Sequence, residues 1–87
     1  MSMWTDPGND FIDVTTFPYD VYALHGYMAR HAVVTDIGVG TATVVAVTGA
    51  GNTRTVICTQ NGEELPAFIR SFSAGTTVVR IRIFFDA

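Results

Sequence analysis

Apolar residues alternate with Thr and other polar residues along most of the chain after residue 32, in short runs that Gly and Asn separate. The runs are AVVTDIGVG (32–40), TATVVAVT (41–48), TRTVICT (53–59), LPAFIRSFS (65–73) and TTVVRIRIFF (76–85), with turns at GAGN (49–52) and QNGE (60–63). Strands at about 8–12 residue spacing are typical of sandwiches and small barrels. The alternation of Thr41 and Thr43 with Ala42 and Val44 fits a sheet with one solvated face. The pattern predicts an all-β fold, a small antiparallel β-sandwich or barrel.

The segment VYALHGYMARHA (21–32) is the one stretch where helical spacing competes with alternation. Gly26 weakens a helix there because glycine has low helix propensity. Val21, Ala23 and His25 alternate in a way that suits a strand equally well. Both interpretations stay open for this segment.

Residues 1–20 differ from the remainder because their aromatic side chains follow no strand or helix period. TDPGND (5–10) is a turn sequence, and Trp4, Phe11, Phe17 and Tyr19 are scattered around and after it. Aromatic residues are unusual in disordered tails. We therefore predict an extended N-terminal arm over residues 1–20, lying against its own domain or a neighbour, and a single β domain over residues 21–87. An extended arm of that length reaches up to about 65 Å.

Composition strengthens the β prediction and adds an expectation of association. The chain has 87 residues, 48% of them hydrophobic and 15% charged, and a third of all residues are Thr, Val or Ile. β-Branched side chains fit a pleated surface. A domain of this size buries only about 60–65% of its unfolded surface. Surplus apolar surface of this kind tends to be covered by a partner, so we expect a homo-oligomer.

All five cationic residues are Arg, and the formal net charge is −3. The absence of Lys excludes a Walker-type phosphate loop, and the acidic balance argues against nucleic-acid binding. The N-terminal sequence has no signal-peptide pattern, and no apolar stretch is long enough for a membrane span. Cys58, the single cysteine, cannot form an intrachain disulfide. We expect no membrane association and folding in a reducing cytoplasm.

The segment LPAFIRSFSAGTTVVRIRIFF (65–85) places Arg70, Arg80 and Arg82 inside apolar runs that read as two strands joined at AG (74–75). A three-residue loop opposes Arg70 to Arg80, which is unfavourable. A two- or four-residue loop places one set of residues on the core face of the sheet and a second set on the outer face. The core set is Phe68, Phe72, Val79, Ile81, Ile83 and Phe85; the outer set is Ile69, Ser71, Val78, Arg80, Arg82 and Phe84. Arg70 is the exception, at the margin of the core face.

The outward arginines have two interpretations. They are solvated residues on an exposed face, or they belong to a mixed apolar–Arg face that meets a partner. Arg and aromatic residues are enriched at interface cores, whereas Lys is depleted there. The candidate interface residues are Trp4, Phe11, Phe17, Tyr19, Arg70, Arg80, Arg82 and Phe84.

No catalytic set is persuasive in this sequence. His25 and His31 lie six residues apart, which brings them together on neither a helix nor a strand. His31 with Asp36 lacks a nucleophile, and Glu63 beside Glu64 is typical of a solvated loop. Cys58 within TVICT is typical of a buried small hydrophobic residue. We predict that the protein is not an enzyme and that it has no cofactor and no metal site.

The series IGVG…TATVVAV…GAGNTRTVICTQNGEELPAFIRSFSAGTTVVRIRIFF resembles small β-rich virion proteins of tailed bacteriophages and gene transfer agents, which are head-spike base or capsid-associated components. The matching positions are Gly38–Gly40, Gly49–Gly51, Thr53–Thr59, Leu65–Pro66, Ile69–Arg70 and Ala74–Thr77. The likeness covers about residues 32–87 and consists of turn and strand signatures. It departs at the first thirty residues and at RIRIFF (80–85).

The resemblance implies a non-enzymatic virion structural protein, a capsid decoration (cement) or head-spike base subunit that self-associates and binds the particle surface. Its partners would be further copies and the major capsid protein or another virion protein, and its location the virion, assembled in the host cytoplasm. The alternatives are a tail or baseplate component, or a small carbohydrate-binding β module that stacks sugars on Trp4 and the tyrosines.

Overall fold

The computed structural model describes residues 11–85, in which six antiparallel strands form two small sheets. In chain order the elements are β1 (Phe11–Val14), α1 (Val21–His25), β2 (His31–Asp36), β3 (Ala42–Thr48), β4 (Thr53–Cys58), β5 (Ile69–Phe72) and β6 (Arg80–Phe84). The first sheet has the strand order β1-β6-β2, and the second has the order β4-β3-β5. The predicted small all-β, sandwich-like fold is confirmed.

The core lies where the inner faces of both sheets contribute alternate residues. Along β3, Ala42, Val44 and Ala46 are buried while the residues between them are partly exposed. Along β6, Ile81 and Ile83 are fully buried. Burying a side chain of the Val or Ile class contributes about 1.5–3 kcal/mol relative to leaving it exposed. The period-two pattern in the sequence therefore corresponds to one shared hydrophobic core.

The ambiguous segment after residue 20 is a short helix followed by a strand. Asp20 begins α1 as its N-cap, where its carboxylate accepts a hydrogen bond from the Ala23 amide at 3.0 Å. Gly26 ends the helix in the left-handed conformation at φ +79°, which glycine adopts without steric cost. Val21 is fully buried and holds the helix on the core. The helical interpretation therefore holds for Val21–His25, and the strand interpretation, which rested on the alternation of Val21, Ala23 and His25, is wrong.

The predicted hairpin between the last two strands is wrong, because β5 and β6 belong to different sheets. The chain after β5 continues along β3: the Val45 amide donates to the Thr76 hydroxyl at 3.1 Å, and the Thr43 amide donates to the Thr77 hydroxyl at 2.9 Å. The Thr77 amide also donates to the Thr43 carbonyl. These bonds hold the connection against the second sheet until it crosses to the first.

The predicted faces are also inverted over part of this region. Ile69 and Val78 are buried, although we expected them outside, whereas Phe68 and Val79 are about half exposed. The pairing of β5 with β3 shifts register between Val47 and Thr48, a bulge that lets residues three positions apart face the core. On β6 the expected alternation holds for Arg80–Ile83.

The predicted boundary at residue 20 is not a boundary of the folded domain. β1 pairs with β6 from Phe11 opposite Phe84 to Val14 opposite Ile81, and Val14 is buried. Tyr19 exchanges backbone hydrogen bonds with Phe72 in β5. Residues 11–20 therefore complete the sheets of their own domain rather than form a separate arm. Trp4 and the remainder of residues 1–10 lie outside the described residues.

The outer edges of β5 and β2 are covered by other segments of the chain, whereas β1 and β4 each have a single neighbour among residues 11–85. Tyr19 and Ala29 form isolated bridges along the outer edge of β5, and the Glu63–Leu65 backbone bonds to β2. Within residues 11–85, β1 pairs only with β6 and β4 only with β3. These two edges determine where another strand is able to add to the domain.

Candidate protein-binding surfaces

The outer face of the first sheet carries one aromatic row and one charged row. Register places Phe11 and His31 on either side of Phe84, with ring centroids at 5.8 Å and 5.4 Å from it. The next row has Asp13 and Val33 on either side of Arg82. Cross-strand neighbours of this kind interact directly because their Cβ atoms lie about 5 Å apart.

Arg82 is paired within its own chain. Its Nε donates to Asp13 Oδ1 at 2.8 Å, a second nitrogen donates to Oδ2 at 3.2 Å, and its guanidinium lies 4.2 Å from the centroid of the Phe11 ring. The hydrogen bond from Arg82 lowers the pKa of Asp13 below its ordinary value, and the same bond raises the pKa of Arg82. The side chains are 38% and 35% exposed, so solvent screens the pair.

Arg80 is also held within the chain. Its Nε donates to the Thr35 hydroxyl at 2.9 Å, and that hydroxyl donates to the Arg80 carbonyl at 3.3 Å. Arg80 and Arg82 thus point away from the core, as the alternation predicts, and each has partners on a neighbouring strand. The two arginines on the outer face of the first sheet therefore have hydrogen-bond partners within the chain.

A second surface joins α1 to β5, and we call Tyr22, Arg30, Phe68 and Arg70 the arginine–aromatic surface. Ala29 bridges Ile69, which puts Arg30 beside Phe68; the guanidinium lies 5.7 Å from that ring centroid. Arg70 lies on the outward face of β5, with its guanidinium 4.8 Å from the Tyr22 ring centroid. Two stacked Arg–aromatic pairs therefore stand side by side.

Phe68 has an unusual backbone for its residue type. Its φ is +57°, the only positive value of a non-glycine residue in the described part of the chain. The left-handed region costs an L-residue roughly 1–2 kcal/mol. The Phe68 carbonyl accepts from the Gly49 amide at 2.7 Å, which holds the conformation, yet the side chain remains 50% exposed. The strained backbone thus presents an aromatic ring to solvent and not to the core.

More apolar surface is exposed around the end of α1. Leu24 is 64% exposed and Tyr27 69% exposed, at the end of α1 and just after it. The one ion pair in the region 11–85 is that of Arg82 with Asp13, so no described carboxylate lies within salt-bridge distance of Arg30 or Arg70. The arginine–aromatic surface therefore combines exposed rings with two cations that, among residues 11–85, lie over rings and form no ion pair.

The His, Cys and acidic side chains considered in the sequence analysis do not come together in one site. His25 Nε2 is 2.6 Å from the Tyr19 hydroxyl, whose pKa burial raises. His31 begins β2 and Asp36 ends it, so they do not meet. Cys58 is buried, and burial, with a smaller effect of the Glu63 charge, raises the pKa of its thiol. The prediction that Cys58 is a buried hydrophobic residue is confirmed.

The structure thus places some of the candidate interface residues against the core and others at the surface. Phe17 packs edge-on against Phe72 at 5.9 Å, and it and Tyr19 pack against the core. Arg70 is exposed, as the interface hypothesis requires. Arg30 and Phe68 escaped prediction because their proximity depends on the Ala29–Ile69 bridge. The N-cap Asp20 and the terminating Gly26 are the signals that delimit the exposed helix.

No group of three or more His, Cys, Asp and Glu side chains within 11–85 is arranged to hold a metal ion. In the same residues, no helix is long and apolar enough to cross a membrane. Comparison with known proteins finds no matching family model, no matching curated protein and no matching solved structure.

Proposed function

We propose that this protein is a non-enzymatic structural subunit that acts by binding other protein chains. Following the resemblance of its turn and strand motifs, we assign it to the particle of a tailed bacteriophage or gene transfer agent, as a capsid-associated decoration or head-spike base component. Its partners are further copies of itself and the major capsid protein or another virion protein. The arginine–aromatic surface is the observation that carries the protein-binding part of this proposal.

The motif that the chain shares with that family has a clear structural use here. In Ala74–Thr77, the hydroxyls of Thr76 and Thr77 accept hydrogen bonds from the β3 backbone. The GAGN turn closes the β3–β4 hairpin, where the Thr48 amide donates to the Asn52 carbonyl. These motifs support a scaffold rather than a chemical site. A structural role for the protein agrees with such a pattern.

Phe68 supports partner binding because its exposure is unfavourable in the isolated chain. A bulky residue in the left-handed region is a strained feature, and such features concentrate at functional sites. Half of its ring remains in water. Docking a ring of this size buries on the order of 100 Å² more, or about 2 kcal/mol before the cost of association. A partner that covers the Phe68 ring therefore buries apolar surface that the free chain leaves in water.

The charge of this surface indicates the chemistry of the partner. Arg30 and Arg70 have flat guanidinium groups already oriented by the Phe68 and Tyr22 rings. Pre-oriented guanidinium groups bind carboxylates in a bidentate manner, and Arg and Tyr are enriched among residues that dominate binding energy. We infer a complementary surface with carboxylates next to apolar side chains.

The decisive test begins with particles purified from the source. Mass spectrometry of salt-washed particles should detect the protein in a constant ratio to the major capsid protein. Particles assembled with the Arg30→Gln/Arg70→Gln double variant should contain several-fold less of it. Arg82→Gln is the matched control, because Arg82 already pairs with Asp13, and it should be incorporated normally.

Two results contradict the proposal. If the protein is absent from washed particles, the virion role is wrong. If the double variant and the Arg82 variant are incorporated equally, while circular dichroism shows that both are folded, the arginine–aromatic surface is not the binding surface. Localisation in an electron-microscopy reconstruction separates a head position from a tail or baseplate position.

A carbohydrate-binding module remains the second candidate, and the exposure of Tyr22 and Tyr27 favours it. Aromatic rings that face solvent are able to stack on sugars. A glycan array probed with the isolated chain tests this candidate. Saturable binding that Tyr27→Ala abolishes would favour it over assembly.

A further inference from the structure

Among residues 11–85, β4 is an edge strand with few of the features that usually protect an edge. Its pairing with β3 runs without a register shift from Thr53 to Cys58. It contains no Pro and no bulge, and most of its residues are exposed, including Ile57 at 57%. Arg54 is its single charged residue. Regular, exposed edges of this kind are templates for another strand.

Register determines which backbone groups of β4 face the free edge. In β3, the amides of Thr43 and Val45 donate to Thr77 and Thr76, on the side away from β4. Their antiparallel partners in β4, Ile57 and Thr55, are therefore in non-hydrogen-bonded pairs with β3. The same alternation applies to Thr53. The amides and carbonyls of Thr53, Thr55 and Ile57 thus point outward, two residues apart.

We infer that β4 pairs with β4 of a second copy in antiparallel orientation, with the two Thr55 residues opposite one another on a two-fold axis. Thr53 of each copy then lies opposite Ile57 of the other. Each opposed pair exchanges two backbone hydrogen bonds, as in any hydrogen-bonded antiparallel pair. Every outward group of the strand is satisfied, and the two second sheets become one continuous six-stranded sheet.

The side chains are compatible with this two-fold register. Arg54 faces Val56 of the second copy rather than the other Arg54, so like charges are not opposed. Thr53 of one copy covers the exposed Ile57 of the other. A centre on Arg54 would instead oppose two guanidinium groups and place Ile57 opposite Gly51, outside β4.

A second copy fits the β4 edge better than an unrelated strand, because the register through Thr55 opposes no like charges and covers Ile57 in both copies. Such a pair is isologous, so each contact occurs twice, and Thr53 of each copy lies opposite Ile57 of the other. β1, the other strand with a single described neighbour, has only four residues and uses Asp13 to bind Arg82 within the chain. This inference rests on the proposed self-association and specifies its geometry.

A charge exchange at Thr55 tests the two-fold register. Thr55→Lys or Thr55→Glu places like charges opposite one another in a homodimer, so each variant should self-associate at least tenfold more weakly than the wild type in analytical ultracentrifugation. An equimolar mixture of the two variants should regain dimerisation, because unlike charges then oppose. Thr16→Lys and Thr16→Glu are matched controls at an exposed threonine outside β4, and both should dimerise normally.

The outcomes separate this inference from the proposed function. If both Thr55 variants associate like the wild type, or if mixing them restores nothing while both remain folded, the β4 pairing is wrong even when the protein is present in particles. If the wild type is monomeric at tens of micromolar and only particle binding responds to Thr55, another protein's strand occupies the edge and the inference also fails.

Discussion

The outer face of the first sheet and the arginine–aromatic surface are built from the same residue types but differ in how their cations are paired. On the first, Arg82 binds Asp13 and lies over Phe11. On the second, Arg30 and Arg70 lie over Phe68 and Tyr22, and no ion pair within residues 11–85 includes them. Both surfaces would be described from the sequence as mixtures of Arg and aromatic residues.

The difference teaches that an outward Arg is informative only together with its neighbours. A guanidinium that already has a carboxylate must exchange one bond for another on binding, so it contributes little net affinity. A guanidinium stacked on a ring keeps all its donors for a partner and loses little rotamer freedom. Self-pairing therefore makes the first surface the weaker candidate for recognition and the second surface the stronger one.

The largest expected effect is on binding to purified particles. Arg70→Gln should raise Kd roughly thirtyfold, or about 2 kcal/mol, as expected for an interface Arg that dominates binding. Arg82→Gln should change Kd less than about twofold, since Asp13 already engages Arg82 in the free protein. Biolayer interferometry with immobilised particles measures both. Equal losses for the two variants would remove the distinction between the surfaces.

A smaller effect concerns the backbone strain under the Phe68 ring. Phe68→Gly and Phe68→Ala both remove the ring and should weaken particle binding alike. Phe68→Gly should nevertheless have the higher free energy of unfolding, by about 1 kcal/mol, because only glycine adopts φ +57° without steric cost. Urea denaturation of the two variants measures the difference. If Phe68→Ala were instead more stable than Phe68→Gly, as alanine usually is relative to glycine, residue 68 would not be left-handed in solution.

The smallest effect concerns the ion pair on the first sheet. Asp13→Asn should lower the free energy of unfolding at pH 7 by less than about 1 kcal/mol, because both partners are over a third exposed. The folded-state pKa of Asp13 lies below its ordinary value of 3.8, so its contribution is fully present above that pH. It is lost as the pH falls through the folded-state pKa.

Urea titrations across the acid range check this sign. Wild-type stability should fall more steeply with acid than that of Asp13→Asn, and the two curves should converge below the folded-state pKa. Particle binding near neutral pH should be the same for both. Curves that stay parallel from pH 7 to pH 2 would show that Arg82 does not stabilise the Asp13 carboxylate.

Several strands could be predicted because local pattern and burial agree there. In β3, each second residue is small and apolar, and in the structure that set faces the core. The Arg80–Ile83 alternation likewise places both Arg side chains outward. The GAGN turn joins neighbouring strands, as Gly and Asn indicate. Local periodicity was sufficient wherever a strand is straight and its neighbour follows directly in sequence.

The candidate surfaces were only partly predictable. Arg80 and Arg82 were expected to face outward from the sequence, and they do, whereas Arg70, expected at the margin of the core face, is exposed. Arg30 escaped because it acquires its position from the bridge between Ala29 and Ile69, forty residues apart in the chain. Phe68 was assigned to the core by alternation, and the bulge beside it reversed that assignment. Contacts between residues so far apart in the chain leave no periodic signal in the sequence.

The sequence by itself determined the class of the fold, the strands of regular alternation and the burial of Cys58, because side-chain shape and period two act within a few residues. Only the tertiary structure decided which strands pair. The hydroxyls of Thr76 and Thr77 bind β3 more than thirty residues away and send β6 to the other sheet. The same long-range pairing brings Phe11–Val14 against β6. Nothing local separates a hairpin from such a crossover, because the hydrogen bonds that distinguish them form only when distant segments meet.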